Sequence, residues 1–143
     1  GAVMRHTGAG LAIPDFPLAF GRIVPDLSSA SVAVHYLHRM GALAIAVVAT
    51  WTAAVAWRDH GDEPLLVRPA AGIAALVALQ VTLGALTIWT AKAVLPTTAH
   101  VATGAVILAT AVVLAIRSQR ILVPAESPVG EMRPSGDAWR ATA

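Results

Sequence analysis

His38 and His100 are the residues of this chain best suited to chemistry. Each lies near the start of a long apolar segment. An ionisable side chain in such a segment is costly to bury, and it occurs mostly where it has a function. A neutral imidazole keeps one ring lone pair free for a metal. Two of them, carried at one depth by separate helices, suit the axial positions of a haem iron, whose potential the protein then sets through ligand identity, burial and hydrogen bonding. Gly41 follows His38 by three residues and Gly104 follows His100 by four. Each glycine therefore lies about one turn from its histidine on the same helix face and leaves room for a flat macrocycle. Arg39 adjoins His38, where a guanidinium can pair with a haem carboxylate. Arg5, Arg22 and Lys92 add positive charge on that side. From spacing alone three readings stand: haem ligation, a bundle whose histidines only bond between helices, and a metal or proton path.

The remaining polar residues carry less. His35 precedes His38 by three residues and shares its face, which admits a second ligand, a proton relay or an interfacial histidine near the outer headgroups, the last being the favoured reading. His6 and His60 read as solvated loop residues. Asp15 and Asp26 are the acids of the first thirty residues, and Asp15 is expected to bond to loop backbone or to pair with an arginine. There is no cysteine, which excludes disulfides, thiolate metal sites and cysteine nucleophiles. No phosphate loop, serine elbow or metalloprotease helix motif occurs. The formal net charge is +2, with no basic stripe, so a nucleic-acid partner is not expected.

The elements that must position these residues are membrane helices. Hydrophobic residues make up 57% of the 143 and charged residues only 13%, against about 25% charged in soluble domains. The apolar residues fall in three runs long enough to span a bilayer, predicting spans over 31–57, 70–90 and 97–116 and an all-α integral membrane bundle over 30–120. Arg68 and Pro69 open the second span, with the proline tolerated in a first turn. Gln80, Gly84 and Thr87 recur at helical spacing and should face inward. Residues 91–96 read as a tight connection, with Thr97 or Thr98 as cap. Residues 1–29 hold Gly8, Gly10, Pro14, Pro17, Gly21 and Pro25, which forbid a span. They read as an extracytoplasmic loop lying over the bundle. Residues 121–143 read as a disordered cytoplasmic tail. Arg58, Arg68, Arg117 and Arg120 flank one side of the spans, which the positive-inside rule makes cytoplasmic. The chain opens without a signal-peptide pattern and reads as part of a longer protein with an earlier helix.

The strings Arg5-His6-Thr7-Gly8-Ala9-Gly10-Leu11-Ala12-Ile13-Pro14-Asp15-Phe16-Pro17-Leu18, His35-Tyr36-Leu37-His38-Arg39, Gln80-Val81-Thr82-Leu83-Gly84-Ala85-Leu86-Thr87-Ile88-Trp89-Thr90 and Pro96-Thr97-Thr98-Ala99-His100-Val101 are long, ordered and specific. Together they resemble the haem A synthase family over roughly residues 1–117. The resemblance implies an eight-helix protein of two similar four-helix halves, of which this chain looks like the C-terminal half without most of its first helix. It implies an oxidoreductase that converts the methyl group of haem O to the formyl group of haem A for terminal oxidase assembly. It maps the family's haem-ligand histidines onto His38 and His100, with haem b as cofactor of this half. In the family a catalytic glutamate stands three residues before the His-Arg pair of the other half. Here that position is His35, which fits the cofactor half and assigns no catalytic residue to this chain. The family's cysteine pairs of the outer loops are also missing. The implied setting is the cell's inner (plasma) membrane. Lipid, haem O in the other half, and a second copy or a haem O synthase are the implied partners. A b-type cytochrome that only transfers electrons is the alternative function. A transporter or scaffold whose histidines merely pack is a third.

Overall fold

A computed structural model describes residues 1–122. A short helix α1 (Ala2–His6) and a 3-10 turn (Ala9–Leu11) precede three long helices, α2 (Ala30–Asp59), α3 (Pro64–Trp89) and α4 (Val94–Leu122). Among the described residues the only strand-like pairing is an isolated bridge between Ala19 and Arg22. Each long helix is long and apolar enough to cross a membrane. At 1.5 Å per residue even the shortest reaches about 39 Å, beyond the roughly 30 Å hydrocarbon core. The chain is a membrane helix bundle.

Every helix is longer than its predicted span, although α3 ends at Trp89, one residue before the expected end. The second begins at Pro64, so Pro69 lies inside α3 rather than in its first turn. Proline has no N–H for the carbonyl four residues back, which leaves the Leu65 oxygen without its helical donor. Arg117 of α4 supplies one, with Nη1 donating to that oxygen at 3.3 Å. The third helix begins at Val94 and takes in Pro96, whose missing N–H is harmless in a first turn. Neither threonine is its cap: Thr97 lies inside the helix and its Oγ1 donates back to the Ala93 carbonyl. Residues 121 and 122 continue α4; the rest of the expected tail lies outside the described residues.

Helix α3 is central, and α2 and α4 each pack along it. Where all three meet, Ala49, Ile73 and Val77 are buried against Ala46, Ile107, Ala111 and Leu114. The three alanines let the helix backbones approach closely, and the branched side chains fill the space between. Large apolar side chains such as Leu43, Val47, Trp51 and Leu108 face outward, as lipid contact permits. Between α3 and α4 the chain reverses through Ala91 and Lys92 at φ 50° and 66°. The Lys92 N–H donates to the Thr87 carbonyl at 2.8 Å, closing the turn. Because α2 and α4 run parallel, their starts lie together at one end, under residues 1–29.

The opening segment is fastened to that end. Arg39 donates through Nη1 to the Leu18 carbonyl at 2.8 Å, and through Nη2 to the Asp15 and Ile13 carbonyls at 2.6 and 3.3 Å. Its guanidinium also lies 5.6 Å from the Phe16 ring centre, and Phe16 meets Trp89 of α3 edge-on at 6.3 Å. Phe20 and Gly21, both at positive φ, form the turn between Ala19 and Arg22. The Asp15 carboxylate accepts the N–H of Phe20 at 2.8 Å and of Gly21 at 2.9 Å, the first of the two roles open to it from sequence. Those bonds, Gly21's first, hold its pKa below the ordinary 3.8.

Candidate functional site

Beneath the opening segment lies a cavity of about 420 Å³. Helix α2 contributes His38, Gly41 and Ile45, α3 contributes Gln80, Gly84 and Thr87, and α4 contributes His100, Gly104 and Ile107. Met4, Gly10 and Phe16 reach it from the opening segment, so that segment covers the site. Volumes of 300–1,000 Å³ are usual for small-molecule sites. The inward face expected for Gln80, Gly84 and Thr87 is the cavity wall.

His38 and His100 face one cavity from opposite flanking helices. Their ring centres are 6.5 Å apart and the ring planes cross at 68°. His100 Nδ1 lies 3.1 Å from the Gln80 backbone oxygen. A carbonyl only accepts, so Nδ1 carries the proton and Nε2 keeps its lone pair. Two imidazoles at this separation can reach a single metal between them. Among the described residues no group of three or more His, Cys, Asp or Glu is placed to hold a metal ion, so these residues offer a metal here no more than the histidine pair.

The glycines occupy places where side chains would intrude or fill space. A Cβ at residue 84 would stand 3.3 Å from His100 Cε1, and one at residue 104 would stand 3.1 Å from Gln80 Nε2. At Gly41 a Cβ would meet nothing within 4 Å, so the space before it is open. Among the described residues two buried side-chain polar atoms have no partner: Gln80 Oε1 and Arg39 Nε, both on residues that line the cavity. Buried polar groups are normally satisfied, so such exceptions mark places where a ligand or water completes the bonding.

His35 is not an interfacial histidine. It is 2% exposed, and its Nδ1 accepts the Ile13 N–H at 3.2 Å. The apolar segment folded over it removes it from the headgroups. His6 ends α1 rather than sitting in a loop, and is exposed. His60 caps the end of α2 and is part-exposed. The contact of Gly84 with the His100 ring, the Gln80 carbonyl beneath His100 and the cover by Met4 are not among the sequence expectations. The signal for the first two is the four-residue step from Gln80 to Gly84, although sequence does not say that α4 packs there.

The family of cytochrome oxidase assembly proteins described as COX15-CtaA matches residues 1–112. A haem A synthase of Symbiobacterium thermophilum is 41% identical over 90 residues, covering 60% of this chain and 28% of that protein. A haem A synthase of Shouchella clausii is 40% identical over 48 residues, covering 34% of this chain and 16% of that protein. The chain thus matches well under half the length of these relatives. No solved structure matches. Since the family match takes in both histidines, the glycines of the cavity and the segment above them, this chain belongs to the COX15-CtaA family of cytochrome oxidase assembly proteins, that of the haem A synthases.

Proposed function

We propose that this chain is the haem b-binding C-terminal half of a haem A synthase, with His38 and His100 as axial ligands of the haem iron. The observation that carries this is the 6.5 Å between the imidazole centres. Imidazole nitrogens bind metals at about 2 Å, and about 1 Å more on each side reaches the ring centre, giving roughly 6 Å between two rings that share one metal. Gly41, Gly84 and Gly104 line the same cavity and put no side chain into it. A bound haem would supply one-electron redox chemistry.

The chain's own residues have defined tasks. His100 presents Nε2 because its Nδ1–H is held by the Gln80 carbonyl. Arg39 holds the cover with its terminal nitrogens, and its buried, unpartnered Nε–H would be available to a haem carboxylate. His35 ties the cover to α2 through Nδ1. That bond favours a structural role at the position where the resemblance places the other half's glutamate. The complete protein would oxidise the haem O methyl group to the formyl group of haem A, with the reaction in the other half. Haem O, membrane lipid, and a second copy or a haem O synthase would be its partners, in the inner (plasma) membrane.

The test is the visible and electron paramagnetic resonance spectrum of the detergent-purified protein. A low-spin haem signal is expected, and His38→Ala and His100→Ala should each abolish it. An unchanged signal in both variants would overturn the ligand assignment. A low-spin haem in a full-length protein that fails to convert haem O would leave the electron-transfer cytochrome as the function.

A further inference from the structure

The His100 ring packs where a side chain at residue 84 would stand. In an α-helix the carbonyl of residue 80 already accepts the N–H of residue 84. It can accept a second donor from the side only if nothing covers it. Side chains on a helix lean toward its N-terminus and cover the turn before their own Cα, so the side chain at 84 is the one that would lie over the carbonyl of 80. Glycine has none. The His100 ring occupies that vacant place, with Nδ1 at 3.1 Å from the Gln80 oxygen. A Cβ at 84 would come 3.3 Å from His100 Cε1 and 3.7 Å from Nδ1. The first distance is tighter than ordinary carbon contact, and the obstacle is a planar ring already held by a hydrogen bond.

We infer that Gly84 and the Gln80 backbone carbonyl form a positioning site on α3 that locks His100 as its Nδ1–H tautomer and holds Nε2 toward the cavity. Gly84 touches neither iron nor substrate in this role; it acts through His100. The lock is built into the ligand-free protein. Its consequence for haem rests on the function proposed above. A ligating histidine whose other nitrogen donates to a carbonyl is a stronger electron donor, and loss of such a partner typically costs about 10- to 100-fold in metal affinity. The same hydrogen bond lowers the reduction potential, because the more basic ligand favours the oxidised iron.

The experiment has two arms, both on the whole chain in detergent or lipid, with Gly84→Ala compared with Gly72→Ala. Gly72 lies in the same helix and a Cβ there meets nothing within 4 Å. It therefore controls for any general effect of replacing a helical glycine. In the first arm, nitrogen-15 NMR of selectively labelled, haem-free protein reads the His100 tautomer. The parent and Gly72→Ala should show a protonated Nδ1 and a free Nε2, and Gly84→Ala a mixture. A protonated Nε2 in the parent, or the parent's pattern in Gly84→Ala, would overturn the inference whether or not the protein binds haem. In the second arm, haem titration and redox potentiometry should show Gly84→Ala about 10- to 100-fold weaker in haem affinity, with a raised potential, and Gly72→Ala like the parent. Equal affinity and potential in the two variants would overturn the coupling to haem. If the parent takes up no haem but shows the expected tautomer, the function proposed above fails and the histidine lock stands.

Discussion

Arg39, His35 and Asp15 show what residue types alone convey. Each stands out in the sequence as a polar group in or beside an apolar region, and for each the partner is the fact that sequence withholds. A guanidinium next to a ligand histidine suggests a haem carboxylate, because charged pairs are its strongest use; in the fold three of Arg39's hydrogen bonds go to loop carbonyls. His35 accepts a backbone N–H twenty-two residues away, a contact no local pattern encodes. Asp15 is legible because a short acid before a glycine-containing turn has nearby N–H groups to accept. Its depressed pKa fixes the sign of a pH effect. The carboxylate's contribution to the turn is fully present above the ordinary value of 3.8 and is lost as the pH falls through the lower folded value. Hydrogen-exchange protection of the Phe20 and Gly21 amides, corrected for intrinsic rates, should therefore drop below about pH 4. Asp15→Asn should show reduced protection already at neutral pH, with little further loss on acidification. Protection that is equal in the two proteins at every pH would mean that the turn forms without this carboxylate.

At the scale of the elements, the three spans are plain in the sequence because some twenty apolar residues in succession match the thickness of a bilayer core and seldom occur outside one. Their ends are not, because each end depends on another element. Pro69 reads as a helix start until Arg117 of α4 is found on the carbonyl it orphans. Thr97 reads as a cap until helical structure is seen to begin at Val94. The inward face of α3 is legible from the spacing of Gln80, Gly84 and Thr87, since polar groups avoid lipid. Which flanking helix meets which part of that face is not. The glycine of α4 shows the consequence: Gly104 admits the Gln80 amide, and a Cβ there would lie 3.1 Å from its Nε2. Gly104→Leu adds a branched side chain at that place and must displace the amide into the cavity or fill the cavity itself. Overpacking of this kind costs about 1–3 kcal/mol, so haem affinity measured by absorbance titration should fall about fivefold or more. Uptake equal to the parent's would show that residue 104 does not face the cofactor.

For the whole molecule, charge decides which way the cavity faces. The bundle has two chemically different ends. Arg117 lies on the Leu65 carbonyl, which places the start of α3 and the end of α4 together and gathers Arg58, Arg68, Arg117 and Arg120 at one end. Lys92 lies against Gly10 of the opening segment, which places it with Arg5, Arg22 and the cavity at the other. Arg39 also lies at the cavity end, but in the third turn of α2 rather than beside a connection, so four arginines near short connections face three cations on the cavity side. A positive excess beside short loops marks the cytoplasmic side, so the histidine pair should lie near the outer leaflet. The chain contains no cysteine, so a single introduced thiol reports its own location without background. Asp62→Cys in the loop between α2 and α3 and Ala93→Cys in the turn between α3 and α4 are both at exposed positions. In intact cells a membrane-impermeant maleimide should label Ala93→Cys and spare Asp62→Cys, and both should react once the membrane is permeabilised. The reverse pattern would turn the bundle over and place the covered cavity beside the cytoplasm. Labelling of both thiols in intact cells would be incompatible with α3 crossing the bilayer at all.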